Sequence, residues 1–416
     1  MKKYVLIILI SSVFQVTNAQ SITLNQLEAS FLSQNTLLLS SKYNVEKKEA
    51  EIIQEKLWDN PTLTLSEVNL WKTYQVEVQP NLIGKYGKNQ QLSVELEQIF
   101  VTAGKRKKRV AIKELEKNNS LFEYEELLRE LKKDLRQSFM SLARLSKEKE
   151  QLKNTISLFT EMNNQYKRQA AIKNVPKADY YRLQSELIGL QKDELEIENK
   201  EIEYLHRIKL LTHLSELSLS DIDFSTFDFA PTELPLDFSP LIFKDNVGLK
   251  KLNNEVEISE KQFVLEKAQK TPDITLHANY DRGGSIMRDF VGIGVSLDLP
   301  ILNNNKGNIK LAELTISQQK LSQSAYLHEL NTTVNQLSEQ IKRFQTSLQN
   351  WEILNNEGQA EMVENYQKHL QNKQITLLEF IDFIQANREA KKAYLEALED
   401  YQLTREELNY IIGKEI

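Results

Sequence analysis

The chain of 416 residues contains no cysteine. That excludes disulfides, thiolate metal sites and a lipid-modified N-terminal cysteine. No acid precedes Glu28, and no stretch beyond the first residues approaches the roughly 20 apolar residues of a membrane-spanning helix. No excess of basic charge is present either: the formal charge is −6, so nothing in the balance suggests a nucleic-acid partner. Catalytic constellations are also missing. His206, His213, His277, His328 and His369 are scattered, and none sits at a ligand spacing to another histidine or to a carboxylate. The sequence therefore offers no metal or cofactor site and no enzyme chemistry. Gly283-Gly284 reads as a loop that cradles no phosphate.

Residues 1–19 read as a secretory signal: two lysines, a short apolar run, then Thr17-Asn18-Ala19 with small residues where signal peptidase cleaves. Losing Lys2 and Lys3 would take the formal charge from −6 to −8. An exported chain without a spanning helix is soluble outside the cytoplasm or crosses the outer membrane as a β-barrel.

The remainder is organised in two similar passes. Leu24 to Leu57 reads as a helix that Pro61 ends, because proline disfavours helix in the residue before it. Two alternating stretches, Thr62 to Trp71 and Gln91 to Phe100, form a first hairpin at about 61–100. In the second stretch Leu92, Val94 and Leu96 oppose Ser93, Glu95 and Glu97. A long helix opens at Lys105, whose basic run to Arg109 reads as a solvated helix start. Leu121, Leu128, Leu135 and Leu142 lie seven apart, with Tyr124, Leu131 and Leu145 beside them, which predicts a coiled-coil seam. After a turn at Lys173-Asn174-Val175-Pro176, a second seam runs through Leu183, Leu190, Ile197, Tyr204 and Leu211. The two helices make an antiparallel hairpin at about 103–213.

Residues 218–240 carry three of the eight prolines and no basic side chain, as a linker would. Then the order recurs: a helix over Leu241 to Lys270, a hairpin at about 272–300, and a helical hairpin at about 306–412 turning at Asn372-Lys373-Gln374-Ile375-Thr376. In the second hairpin Val291, Ile293, Val295, Leu297 and Leu299 share one face, and Gly292, Gly294, Ser296 and Asp298 the other. Residues 20–217 and 241–416 thus read as an internal duplication.

These features resemble the TolC-type outer-membrane efflux channels, over essentially the whole chain after the signal. The carriers are Asn60-Pro61, Ala103-Gly104-Lys105-Arg106, Thr271-Pro272, Leu299-Pro300, Asn303 to Gly307, and two helix-entry motifs, Asn174 to Gln184 and Ile375 to Asp382. The resemblance implies a mainly α fold with a small membrane β-barrel. Long helical hairpins would form a periplasmic α-barrel, and four strands per chain would complete the barrel of a homotrimer. It further implies contact with outer-membrane lipid, a periplasmic membrane-fusion adaptor and an inner-membrane efflux pump of the RND type.

Site residues follow from the same resemblance. Ser93, Glu95, Glu97, Gly292, Gly294, Ser296 and Asp298 would line a water-filled lumen. Glu379 and Asp382, with Asp179 and Arg182 at the corresponding places of the first repeat, would surround a periplasmic gate. Three chains would bring six carboxylates round one axis, a ring that favours cations. Glu379 and Asp382 also share one face of a helix start, so an ordinary charged first turn gives the same pattern. A glutamate at 379 and Lys373 or Gln374 near it depart from the family's wording. The turns Lys173–Pro176 and Asn372–Thr376 would meet the adaptor. The Leu57 to Pro61, Ala103 to Arg106 and Ile375 to Phe380 wording is most similar to the heavy-metal branch, with drug, organic or type I secretion cargo as the alternative. Readings of another class are a periplasmic adaptor and an exported structural coiled coil, neither of which accounts for two barrel-type hairpins.

Overall fold

The computed structural model describes residues 21–66, 91–225, 238, 242, 244–283, 287, 289–351 and 358–415. The signal reading, most of the loop in the first hairpin and most of the linker reading lie outside them. The elements are α1 (Leu24–Gln34), α2 (Thr36–Lys56), β1 (Thr62–Ser66), β2 (Leu92–Phe100), α3 (Lys105–Ala171), α4 (Lys177–Thr212), α5 (Val247–Ala268), β3 (Ile274–Arg282), β4 (Phe290–Leu297), α6 (Lys306–Trp351), α7 (Gly358–Gln371) and α8 (Leu377–Ile412). None of the described helices is long and apolar enough to cross a membrane. The chain divides into two compact units.

One unit holds Met1–Leu39, Leu128–Ile242 and Thr333–Ile416. Its core joins Leu145, Leu152, Phe159 and Met162 of α3 to Leu183, Leu190 and Ile197 of α4 and Leu377, Phe380, Ile381 and Ile384 of α8. The seven-residue spacing on α3 and α4 is the physical reason: it keeps one stripe facing the partner helix. The expected seam is buried at Leu135, Leu142 and Leu145, whereas Leu121 lies exposed in the other unit. The helix expected over Leu24 to Leu57 is broken at Asn35. Its backbone amide bonds Phe31 O, closing α1, while its side-chain Oδ1 accepts from the Leu38 amide at 3.0 Å, opening α2. The same side chain donates to Leu211 O at 2.9 Å. A buried asparagine that caps both sides makes a break without proline or glycine.

The other unit holds Ser40–Leu127 and Phe243–Thr332. Its four strands form one antiparallel sheet in the order β1-β2-β3-β4. Charge pairs tie its helices: Lys113 to Glu51 at 3.1 Å, Lys48 to Glu116 at 3.5 Å and Lys320 to Glu260 at 2.9 Å. Gly248 lies close under the Tyr326 ring, whose hydroxyl a Cβ there would meet at 2.2 Å and have to displace. Lys105 corrects the reading of a solvated basic run. It is only 3% exposed, and its Nζ donates to Thr271 O at 2.7 Å and to Asp273 at 3.0 Å. Arg106 lies over the Trp58 ring and Arg109 pairs with Glu55.

Candidate functional site

Strand register decides what the sheet presents. Glu97 pairs with Thr62 on one side and His277 on the other, and His277 pairs in turn with Gly294. One row further, Thr64, Glu95, Asn279 and Gly292 stand side by side. Because successive side chains alternate, Ser93, Glu95, Glu97, Gly292, Gly294 and Ser296 all fall on one polar face. Asp298 lies beyond the end of β4. The opposite face carries Leu63, Leu65, Leu96, Leu276, Ile293 and Val295, all exposed, with Ile293 at 87%. Among the described residues the outer edges of β1 and β4 are unpaired.

The histidine that sequence spacing passed over sits in the middle of the polar face. His277 Nδ1 lies 3.1 Å from Glu95 Oε1 and 3.3 Å from Glu97 Oε1, and Nε2 lies 2.7 Å from Ser296 Oγ. No local signal could have found this cluster, since only the pairing of β2 with β3 creates it.

At the helical turns, two chain segments end in the same way. Asn174 N returns to Gln169 O and Lys173 N to Ala170 O; Gln374 N returns to His369 O and Lys373 N to Leu370 O. Both are Schellman endings, with Lys173 and Lys373 at the left-handed position. Asn174, Val175, Asp179, Lys373 and Ile375 line one groove of about 510 Å³ with Tyr166 and Leu370. Ile172, Pro176, Asn372, Gln374 and Thr376 lie exposed beside it. Burial, then the Asp179 charge, pushes the Tyr166 phenol up. The structure thus brings the two expected turns together on one surface.

The four gate candidates stand at the openings of α4 and α8. Glu379 is engaged locally: its carboxylate accepts from the Thr376 amide at 2.7 Å and its hydroxyl at 2.9 Å, and the Glu379 amide donates back to Thr376 Oγ1 at 3.2 Å. This capping box, first through the amide and then the hydroxyl, holds the Glu379 carboxyl below its ordinary value. Asp179 takes the equivalent place in α4, where Pro176 provides no side-chain cap. Arg182 and Asp382 are exposed and make no ion pair among the described residues.

A feature beyond those expectations runs along α4. Tyr181, Ile188, Leu195 and Ile202 lie seven apart and are each between 58 and 66% exposed. The helix therefore carries a second apolar stripe, beside the buried Leu183, Leu190 and Ile197, that no other helix covers among the described residues. Its spacing was visible in the sequence, hidden behind the first stripe.

No family model and no curated protein matches this sequence. Solved structures do. A membrane protein from Pseudomonas aeruginosa superposes with a TM-score of 0.77 at 13% identity, covering 95% of this chain and 92% of that one. The CmeC outer-membrane channel of Campylobacter jejuni gives 0.74 at 15% identity, over 94% and 85%. The outer-membrane protein VceC of Vibrio cholerae gives 0.70 at 15%, over 94% and 96%. At such identities the likeness establishes the fold: a mainly helical chain with a four-stranded antiparallel sheet, the TolC-like fold of outer-membrane efflux channels.

Proposed function

We propose that this chain is an outer-membrane efflux channel and not an enzyme: a homotrimeric, passive conduit that docks to a periplasmic membrane-fusion adaptor and an RND-type inner-membrane pump. The observation that carries the reading is the sheet. One face is mostly apolar and largely exposed, the other mostly polar, and both edges are open among the described residues. In lipid an open edge leaves backbone groups unsatisfied, so four strands must close against other copies. Three copies would complete a barrel with the polar face inward. The free stripe of Tyr181, Ile188, Leu195 and Ile202 supports the same assembly, since a heptad stripe is a surface for another helix.

Within this reading the chain is an internal duplicate, its first 19 residues are an export signal, and β1–β2 and β3–β4 are equivalent hairpins. The paired turns are the adaptor dock. Asp382 and Arg182, free of partners in the described residues, are gate charges available to neighbouring helices. Glu379 belongs to the same ring but is held by its cap. For the cargo we infer heavy-metal cations from sequence wording alone, and growth under zinc, cadmium or copper load against an organic-dye challenge separates metal from drug export.

The absence of native cysteine makes the assembly directly testable. Single pairs placing cysteine at Leu63 or Leu65 and at Val291, Ile293 or Val295 should include one that oxidises to covalent trimers. Monomer alone from every pair overturns the barrel.

A further inference from the structure

We propose that Glu95, Glu97 and His277 form a divalent transition-metal site on the polar face of the sheet, with zinc as the best-fitting ion. The three ligand atoms lie within 4.8 Å of one another. Ligands held about 2.0–2.2 Å from one tetrahedral metal stand roughly 3.3–3.6 Å apart, and Nδ1 of His277 lies 3.1 and 3.3 Å from the two carboxylate oxygens. Each donor comes from a rigid position. Glu95 and Glu97 are two apart on β2, so both point to one side, while His277 stands directly across from Glu97 on β3.

The imidazole is oriented as a ligand needs. Its Nε2 lies 2.7 Å from Ser296 Oγ on β4, so an Nε2–H donated to that hydroxyl leaves the Nδ1 lone pair directed at the carboxylates. Gly294, opposite His277, places no side chain over the ring. Two carboxylates converging on a half-buried position repel each other, and a dication relieves that repulsion while the imidazole adds the preference for zinc over calcium or magnesium. Three protein donors leave a fourth coordination position for water.

The site would bridge β2 to β3, the junction between the first hairpin and the second. It depends on contacts within one chain and needs neither the trimer nor any exported cargo. A metal there is a resident of the wall.

The test is isothermal titration of untagged, detergent-solubilised protein with zinc chloride, alongside cobalt(II) absorption. The expected result is one chelator-reversible zinc per chain, with the intense visible bands of low-coordinate cobalt. His277→Gln and Glu95→Gln/Glu97→Gln should abolish saturable binding, Ser296→Ala should weaken it about tenfold, and His369→Gln should leave it unchanged. Absence of saturable binding in the unsubstituted protein overturns the proposal whatever the variants do. So does undiminished binding in the Glu95→Gln/Glu97→Gln form or in a folded His277→Gln form.

Discussion

Lys173 and Lys373 hold the same left-handed position in two copies of one helix ending, at φ 60° and 57°. Glycine is the usual occupant, and a side chain there costs about 1 kcal/mol. Lys173→Gly and Lys373→Gly should each stabilise the local turn by up to about 1 kcal/mol, yet weaken binding of the adaptor's hairpin in surface plasmon resonance. Undiminished binding would remove both lysines from the docking surface.

Glu379 separates capping from gating. Its carboxyl titrates below the ordinary 4.5 when folded, so the contribution of the cap is complete above that value and is lost as pH falls through the folded one. Backbone hydrogen exchange over 377–384, corrected for intrinsic rates, should show fraying in that acid window. Glutamine preserves a capping box without charge. Glu379→Gln should therefore keep protection at neutral pH, whereas Glu379→Ala should lose it.

For the proposed gate, Asp382 and Arg182 give the cleaner test, since neither makes an ion pair among the described residues. Asp382→Asn should lower the cation preference of single channels in planar bilayers without altering helix content. Unchanged selectivity contradicts a role in the gate.

Much of this was legible in the sequence. Alternation in Leu92 to Phe100 and Phe290 to Leu297 reports one apolar and one polar face, whether or not the apolar one is covered, and that period survives whatever the strands pair with. The seven-residue spacing of Leu183, Leu190 and Ile197 likewise reports a packed stripe. What escaped was relational. His277 meets Glu95 across 182 positions of chain, a register that no local pattern encodes. Asn35 breaks a helix through a bond to Leu211 O, and Lys105 is buried because Asp273 and Thr271 O await it.

Arg144 is a further hidden element, buried between Glu399 at 2.7 Å and Glu148 on its own helix. Glu399→Ala should destabilise by about 1–3 kcal/mol, because it removes one of the two carboxylate acceptors of a buried guanidinium and leaves the other, Glu148. The thermal midpoint by circular dichroism reads this, and a shift near zero would show the pair to be hydrated.

The free stripe of α4 predicts assembly. Ile188→Asp with Leu195→Asp should leave the helix folded but lose about 2 kcal/mol of apolar burial per side chain at the interface, so light scattering should find dissociated chains. Assembly unaffected by both would place that stripe elsewhere.

The most direct measurement is made on the protein extracted by detergent from outer membranes: chain number per particle, then conductance after reconstitution. Three chains per particle and a water-filled pore are the predicted result. A soluble periplasmic monomer without conductance would contradict the account.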